Sequence, residues 1–359
     1  MNFDLSEEQT ALQDSVGRFF QAELDQTRLL KIFDSDDGHD AQLWKALGDL
    51  GVLGLMIDER YGGTGLEMLD AAAVAEVLGY HAAPGPHLGQ VLAALAIAQC
   101  DDDALKERWL PRLASGESIG TVALAEAGNA WQPNEWTLIK SSTLSGSKRN
   151  VLYAQHADIM VVGVAGGQLM LVEHPGESAE ISELPGLDGT RRIDHVVFND
   201  TPAVALNGSA GKLRDAACVL LAADAFGGAR RCVDMAVDYA LTREQFGQVI
   251  GAFQALKHQL ANVAADIEPA RGLYWYAAHA FDAVPEDAER MAALAKAHLA
   301  ERFLNAAREA TQAHGGIAYT WEYPLHVWLK RAVFDRMYLG ETSVHRARVA
   351  QLSSWAEAS

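Results

Sequence analysis

Four segments of this 359-residue chain join glycines, an arginine, amides, aromatics and carboxylates at spacings that could do chemistry. The first, Tyr61-Gly62-Gly63-Thr64-Gly65, is a loop; such a loop can cradle a ligand and is as often a plain turn. The second runs Arg243-Glu244-Gln245-Phe246-Gly247 and on to Phe253-Gln254. On the plainer reading it is a helix C-cap with Gly247 in the left-handed position. On the functional one, the guanidinium fork of Arg243 meets the paired oxygens of a pyrophosphate, and Phe246 packs on an adenosine or flavin edge. The third, Gln312-Ala313-His314-Gly315-Gly316, ends a helical stretch, and its paired glycines let backbone approach a cofactor closely. The fourth is Tyr338-Leu339-Gly340-Glu341-Thr342-Ser343, then His345-Arg346. Glu341 and His345 invite acid–base chemistry there, and a solvated helix start explains them equally well.

The elements that must position these segments follow from periodicity. Up to residue 118 the chain reads as helices: Ser6 and Gln9 have capping-box spacing, and Leu12, Val16, Phe19 and Phe20 make one apolar stripe. Short apolar or alternating runs follow, at Thr121 to Ala125, Thr137 to Ile139, Ile159 to Val164, Gln168 to Val172 and His195 to Phe198. Gly, Pro and Asn separate them, as in a β region with tight turns. From Arg214 the helical period returns, with Phe253, Leu256, Leu260, Val263 and Ile267 on one face. Pro269 should divide that helix from the next. The prediction is a mainly α chain with a central β domain: an α-helical domain over 1–118, a β domain over 119–206 and a helix-bundle domain over 207–359.

Composition narrows the partners. A formal net charge of -19 argues against nucleic acid, which needs clustered Lys and Arg. No run approaches the ~20 apolar residues of a membrane span, and the first residues are acidic where a signal peptide would be basic. Cys100, Cys218 and Cys232 have neither metal nor disulfide spacing, so they are expected to be buried thiols of a cytoplasmic protein.

In this order and at these distances, the segments resemble the acyl-CoA dehydrogenase family over nearly the whole chain. Tyr239 through Gln254 is the most specific match; Gln312 to Gly316 and Glu322-Tyr323-Pro324 follow, with Trp109-Leu110-Pro111-Arg112-Leu113 closing the first domain. The resemblance implies a helical domain, a β-barrel-like domain and a C-terminal four-helix bundle, packed as tetramers. It implies FAD and 2,3-desaturation of an acyl-CoA thioester: a carboxylate removes the α-proton, and the β-hydrogen leaves as hydride to the flavin. It assigns Arg243 to the FAD phosphates across a subunit interface, and Phe246, Gln254, Gln312, Gly315 and Gly316 to the adenine-dinucleotide end. Glu126 falls in the β-domain flavin loop.

Two departures stand out. Where the family reads Thr-Glu-Pro and then Gly-Ser-Asp, this chain reads Ala125-Glu126-Ala127-Gly128-Asn129-Ala130-Trp131, without the hydroxyl that bonds flavin. Aligned on Thr342-Ser343, the usual catalytic glutamate is Gly340, and Glu341 lies one residue later; on a helix that offset swings a side chain by ~100°. The alternative base position is Ala217, with Asp215 nearby. These features look like the short subunits of steroid or bile-acid side-chain acyl-CoA dehydrogenases, which pair with a homologous catalytic subunit in a heterotetramer. Three readings stay open: one subunit of a heteromeric dehydrogenase, a self-sufficient flavoenzyme using Glu341 or another acid, and a non-catalytic partner that completes another subunit's FAD site; a flavin oxidase on the same fold is a further one.

Overall fold

The structure, a computed structural model, describes residues 4–353. It is mainly helical with a central β region. Six helices come first: α1 (Glu7–Glu23), α2 (Gln26–Phe33), α3 (Ala41–Asp49), α4 (Met68–Tyr80), α5 (His87–Ala98) and α6 (Asp103–Ser115). The capping box of α1 forms as the sequence predicts, with Ser6 and Gln9 bonding each other's backbone.

Seven strands and a single helical turn, α7 (Pro175–Ser178), follow. They are β1 (Gly120–Ala123), β2 (Thr143–Leu152), β3 (Ile159–Val164), β4 (Gln168–Glu173), β5 (Ala179–Leu184), β6 (Ile193–Pro202) and β7 (Val204–Leu206). They make two open sheets, ordered β1-β3-β4-β7 and β2-β6-β5, and no closed barrel forms among the described residues. The β1–β3 pair is parallel and the remaining pairs are antiparallel. Thr137 to Ile139, expected as a strand, is irregular, while β2, β5 and β7 went unpredicted.

The last part holds α8 (Ala210–Thr242), a hairpin of β8 (Glu244–Gln245) and β9 (Gln248–Val249), then α9 (Gln254–Ile267), α10 (Arg271–Ala283), α11 (Pro285–His314), α12 (Leu325–Met337) and α13 (Thr342–Gln351). Pro269 sits in a 3-10 turn that parts α9 from α10, where its ring cannot continue an α-helix.

The chain forms two compact units. In the sheet unit (residues 34–71 and 84–217), Leu144, Val151, Met160, Val162, Met170, Val172, Val196 and Phe198 make one apolar core. In the bundle unit (the chain up to Phe33, Ala72–Ala83, and from Cys218), α11 is central. Its buried Met291, Ala295, Leu299, Phe303, Ala306 and Ala310 recur at three and four residues. Charge is buried there too. Arg331 of α12 is fully covered and bonds Asp224 of α8 through Nε at 2.9 Å and Nη2 at 2.5 Å, and Nη1 reaches the Ala83 carbonyl at 3.0 Å. Lys296 of α11 donates to the Asp335 carbonyl.

Candidate functional site

In the bundle unit, α8 stops at Thr242, and the next residues form a hairpin where a helix C-cap had been expected. The Arg243 amide donates to the Tyr239 carbonyl at 2.8 Å, and the Arg243 carbonyl accepts from Ile250 at 2.8 Å. Phe246 (φ 55°) and Gly247 (φ 81°) take the two left-handed positions of a two-residue turn. That turn pushes the Phe246 ring into solvent, 93% exposed, with only its edge against Phe253 at 6.1 Å. Arg243 is exposed and has no carboxylate partner among the described residues. Gln254, the first residue of α9, is also exposed.

The Gln312 to Gly316 turn closes α11. Gly315 takes φ 66° and ψ -141°, and a Cβ on Gly315 or Gly316 would meet nothing within 4 Å, so this backbone is open to approach. Gln312 is exposed and His314 is buried. The His314 Nδ1 faces the Ala310 carbonyl at 2.7 Å, and its Nε2 faces the Tyr323 hydroxyl at 2.8 Å. Its ring lies over Tyr239 with centroids 4.4 Å apart and planes 23° apart. One imidazole thereby joins the helix that leads into Arg243, the glycine turn and the Glu322-Tyr323-Pro324 segment. A carbonyl only accepts, so Nδ1 carries the proton and Nε2 accepts from Tyr323.

The fourth segment lies elsewhere on the bundle. Leu339 (φ 64°) and Gly340 (φ 105°) are both left-handed, and Glu341 is the N-cap of α13. Glu341 therefore stands at the head of α13, directly after a left-handed turn, and not within the body of the helix. Glu341 is half-buried and its side chain makes no capping bond. Beneath it, Glu301 of α11 accepts from Arg336 Nε at 2.7 Å and Thr342 Oγ1 at 2.8 Å. Burial opposes the charge on Glu301, and those two bonds outweigh it, holding the carboxyl below its usual range. His345 is fully buried, with Nε2 3.8 Å from where a Cβ on Gly340 would stand. Glu301 and Gln312 are eleven residues apart on α11, about 16 Å along the axis, so the structure does not bring Glu341 to the glycine turn.

Asp215, near the alternative base position, is buried and paired with Arg214 at 3.1 Å in the sheet unit. Glu126 lies in that unit too. Its Oε2 accepts from Thr137 N at 2.8 Å and Thr137 Oγ1 at 2.6 Å; its Oε1 accepts from Leu138 N at 3.1 Å and Lys148 Nζ at 2.7 Å. Burial raises the carboxyl, but these bonds prevail and bring it down to about 2. Lys148 is fully covered, lies 4.9 Å from the centre of the Trp136 ring, and is lowered to about 8 by burial against the pull of Glu126. Both Glu126 oxygens are thus committed inside the sheet unit, at the edge of a cavity of about 470 Å³ lined also by Thr137, Ile139, Thr143, Ser145 and Ser147. Ala125, just before Glu126, is buried and has no hydroxyl to give.

Sequence reasoning missed His314 as a junction, and missed Thr137, Lys148, Glu301 and Arg336. His314 stood inside a quoted motif; the others carried no local signal. The bundle unit's residues fit the phosphate-bearing end of FAD: an arginine without a carboxylate, an exposed aromatic and an open glycine turn. The Ala125 to Trp131 loop does not offer a flavin ring the family's usual hydroxyl. Among the described residues no three His, Cys, Asp or Glu side chains could hold a metal, and no helix is long and apolar enough to cross a membrane.

Residues 6–117 match the family model for the acyl-CoA dehydrogenase N-terminal domain, and residues 215–353 the model for the acyl-CoA dehydrogenase C-terminal domain. The chain is similar to acyl-CoA dehydrogenase IpdE2 of Mycolicibacterium smegmatis, 32% identical over 94% of this chain and 96% of that protein. It is similar to acyl-CoA dehydrogenase IpdE2 of Mycobacterium tuberculosis, 34% identical over 91% of each. Among solved structures it resembles a variant of the Tcur3481-Tcur3483 steroid ACAD, with a TM-score of 0.90, 29% identity and coverage of 98% and 99%. It also resembles the ChsE4-ChsE5 complex of Mycobacterium tuberculosis, with a TM-score of 0.88, 26% identity and 98% coverage of each chain. The fold, the motif segments and these matches agree, and this chain belongs to the acyl-CoA dehydrogenase family of oxidoreductases.

Proposed function

We propose that this chain is one subunit of a heteromeric, FAD-dependent acyl-CoA dehydrogenase that desaturates a steroid-derived acyl-CoA at C2–C3. Bound FAD would supply the hydride acceptor. The role of this chain is to grip the cofactor's phosphate-bearing end: Arg243 by a charge-assisted fork, Phe246 by packing, and Gln312 with the Gly315-Gly316 backbone by close approach. The backbone at Gly340 carries the subunit reading. A residue at φ 105° has the conformation of glycine, which supports reading the position aligned with the family's base as one built without a side chain. The carboxylate would then come from a homologous partner. The steroid ACAD and the two-protein complex among the similar structures support both the substrate class and the partner.

A second reading, a self-sufficient enzyme using Glu341, is favoured by the half-buried Glu341 at the head of α13. Purification of the chain alone and co-expressed with a homologous subunit, followed by flavin absorbance and acyl-CoA-dependent dye reduction, separates the two. The subunit reading expects bound flavin and turnover only in the co-expressed complex. Turnover by the isolated chain, abolished by Glu341→Gln, would overturn it.

A further inference from the structure

We infer that His314 is a positioning residue, whose imidazole sets the spacing between Arg243 and the Gln312 to Gly316 turn so that both grip one dinucleotide. This rests on the FAD reading above. Three observations carry it. The ring stacks on Tyr239, one helical turn before Arg243, and the Tyr239 carbonyl accepts the Arg243 amide. Its Nδ1–H donates to Ala310, in the last turn of α11, which fixes the imidazole in the helix that ends in the glycine pair. Its Nε2 accepts the Tyr323 hydroxyl, which ties down the far side of the exposed loop carrying Ile317, Tyr319 and Trp321.

The exposed ligand-facing groups make few contacts of their own. Among the described residues, Arg243, Gln254 and Gln312 have no side-chain partner, and a Cβ on either glycine would meet nothing within 4 Å. Their separation is therefore inherited from the buried junction behind them. A ligand that spans both loops feels an error in that spacing as lost affinity, because its ends can no longer be satisfied together. His314 itself, being buried, need not touch the ligand.

The test uses the full chain, assembled with its homologous partner, and measures the FAD dissociation constant and the apoprotein melting temperature. Tyr323→Phe removes only a hydroxyl, and His314→Phe keeps a ring on Tyr239 while losing both hydrogen bonds. Each should weaken FAD about tenfold; Tyr323→Phe should leave the apoprotein melting temperature near the wild-type value, a split that a merely structural role would not produce. Arg243→Ala is the reference for loss of a direct contact. If the wild-type assembly binds no FAD, the cofactor reading falls, and this inference with it. If the wild type binds and Arg243→Ala weakens it, but Tyr323→Phe keeps wild-type affinity, the cofactor reading stands and the role of His314 is overturned. Should His314→Phe fail to fold, Tyr323→Phe decides alone.

Discussion

Glu126→Leu should cost far more stability than Lys148→Met, although both break one ion pair. The Glu126 carboxylate has three donors besides Lys148, two from Thr137 and one from Leu138, so it stays satisfied when the ammonium goes. Lys148 is fully covered, and the face of Trp136 lies beside its ammonium. Losing the carboxylate leaves a lone buried ammonium and two loop amides without their acceptor. Breaking a buried pair from that side costs about 3–5 kcal/mol, against about 1.5–3 kcal/mol for one charge-assisted bond. The Glu126→Leu, Lys148→Met double variant should be more stable than Glu126→Leu alone, because the stranded charge is gone. The pH dependence has a definite sign. Burial sets Lys148 at about 8 in the folded chain, below its ordinary 10.5, while Glu126 pulls it up. Between the folded and ordinary values the unfolded chain holds more protons, so stability rises with pH across that window. Without Glu126 the window opens below pH 8, and Glu126→Leu should gain stability as pH rises toward 8, where Lys148 contributes little change in the wild type. Urea unfolding followed by tryptophan fluorescence reads both effects. A Lys148→Met penalty equal to or above that of Glu126→Leu, or a flat Glu126→Leu profile, would refute this account.

Burial and the neighbouring Arg231 lower His81 from 6.5 to about 4, so its contribution is intact above 6.5 and is lost as pH falls toward 4, by up to about 3 kcal/mol; acid titration of His81→Gln should show a flatter loss. Arg331→Met strands Asp224 and should cost about 3–5 kcal/mol by urea midpoint, and adding Asp224→Leu should return much of it; strict additivity would count against the pair. Arg243→Ala should weaken FAD retention at least tenfold, since a charge-assisted fork is worth about 1.5–3 kcal/mol, and an unchanged dissociation constant would remove Arg243 from the site. Gly340→Glu forces a side chain onto φ 105°, so it should lose about 1–3 kcal/mol and give the isolated chain no turnover; dye reduction by that variant would show that the turn readily accepts a base.

The helices were legible because burial and period agree in them, as in the Ser6 capping box and the stripe through Val263 and Ile267. The sheet unit was less so, for identifiable reasons. Thr137 to Ile139 alternates like a strand, but the Thr137 and Leu138 amides go to the Glu126 carboxylate, so they cannot join a ladder. Strand β2 hides its period: Lys148 takes a buried position, and register shifts between Leu144 and Gly146 and between Lys148 and Val151 break the alternation. Strand β5 is an edge strand with Glu180, Ser182 and Glu183 largely exposed, leaving too few apolar residues to mark a face.

The candidate site divides the same way. Residue types announce which groups could meet a ligand, such as an arginine at the end of a helix or a glycine pair after one. They do not announce what holds those groups at a given spacing. The hairpin at Phe246-Gly247 and the cap the sequence suggests share the same left-handed glycine, so local chemistry could not choose between them. The stacking of His314 on Tyr239 brings the end of α11 against the last turn of α8 ahead of that hairpin, a contact between residues 75 positions apart that local sequence does not announce. The base position shows the reverse limit. Aligned as letters, Glu341 misses the catalytic place by one residue, a difference a helix would turn into a rotation. In the folded chain Glu341 follows two left-handed residues ahead of α13, and Thr342 and Arg336 both bond to Glu301 beside that turn. On the subunit reading proposed above, the course of this backbone then matters as much as the identity of one residue, and a single substitution at Gly340 does not redirect a turn followed closely by Thr342, which is bonded to Glu301.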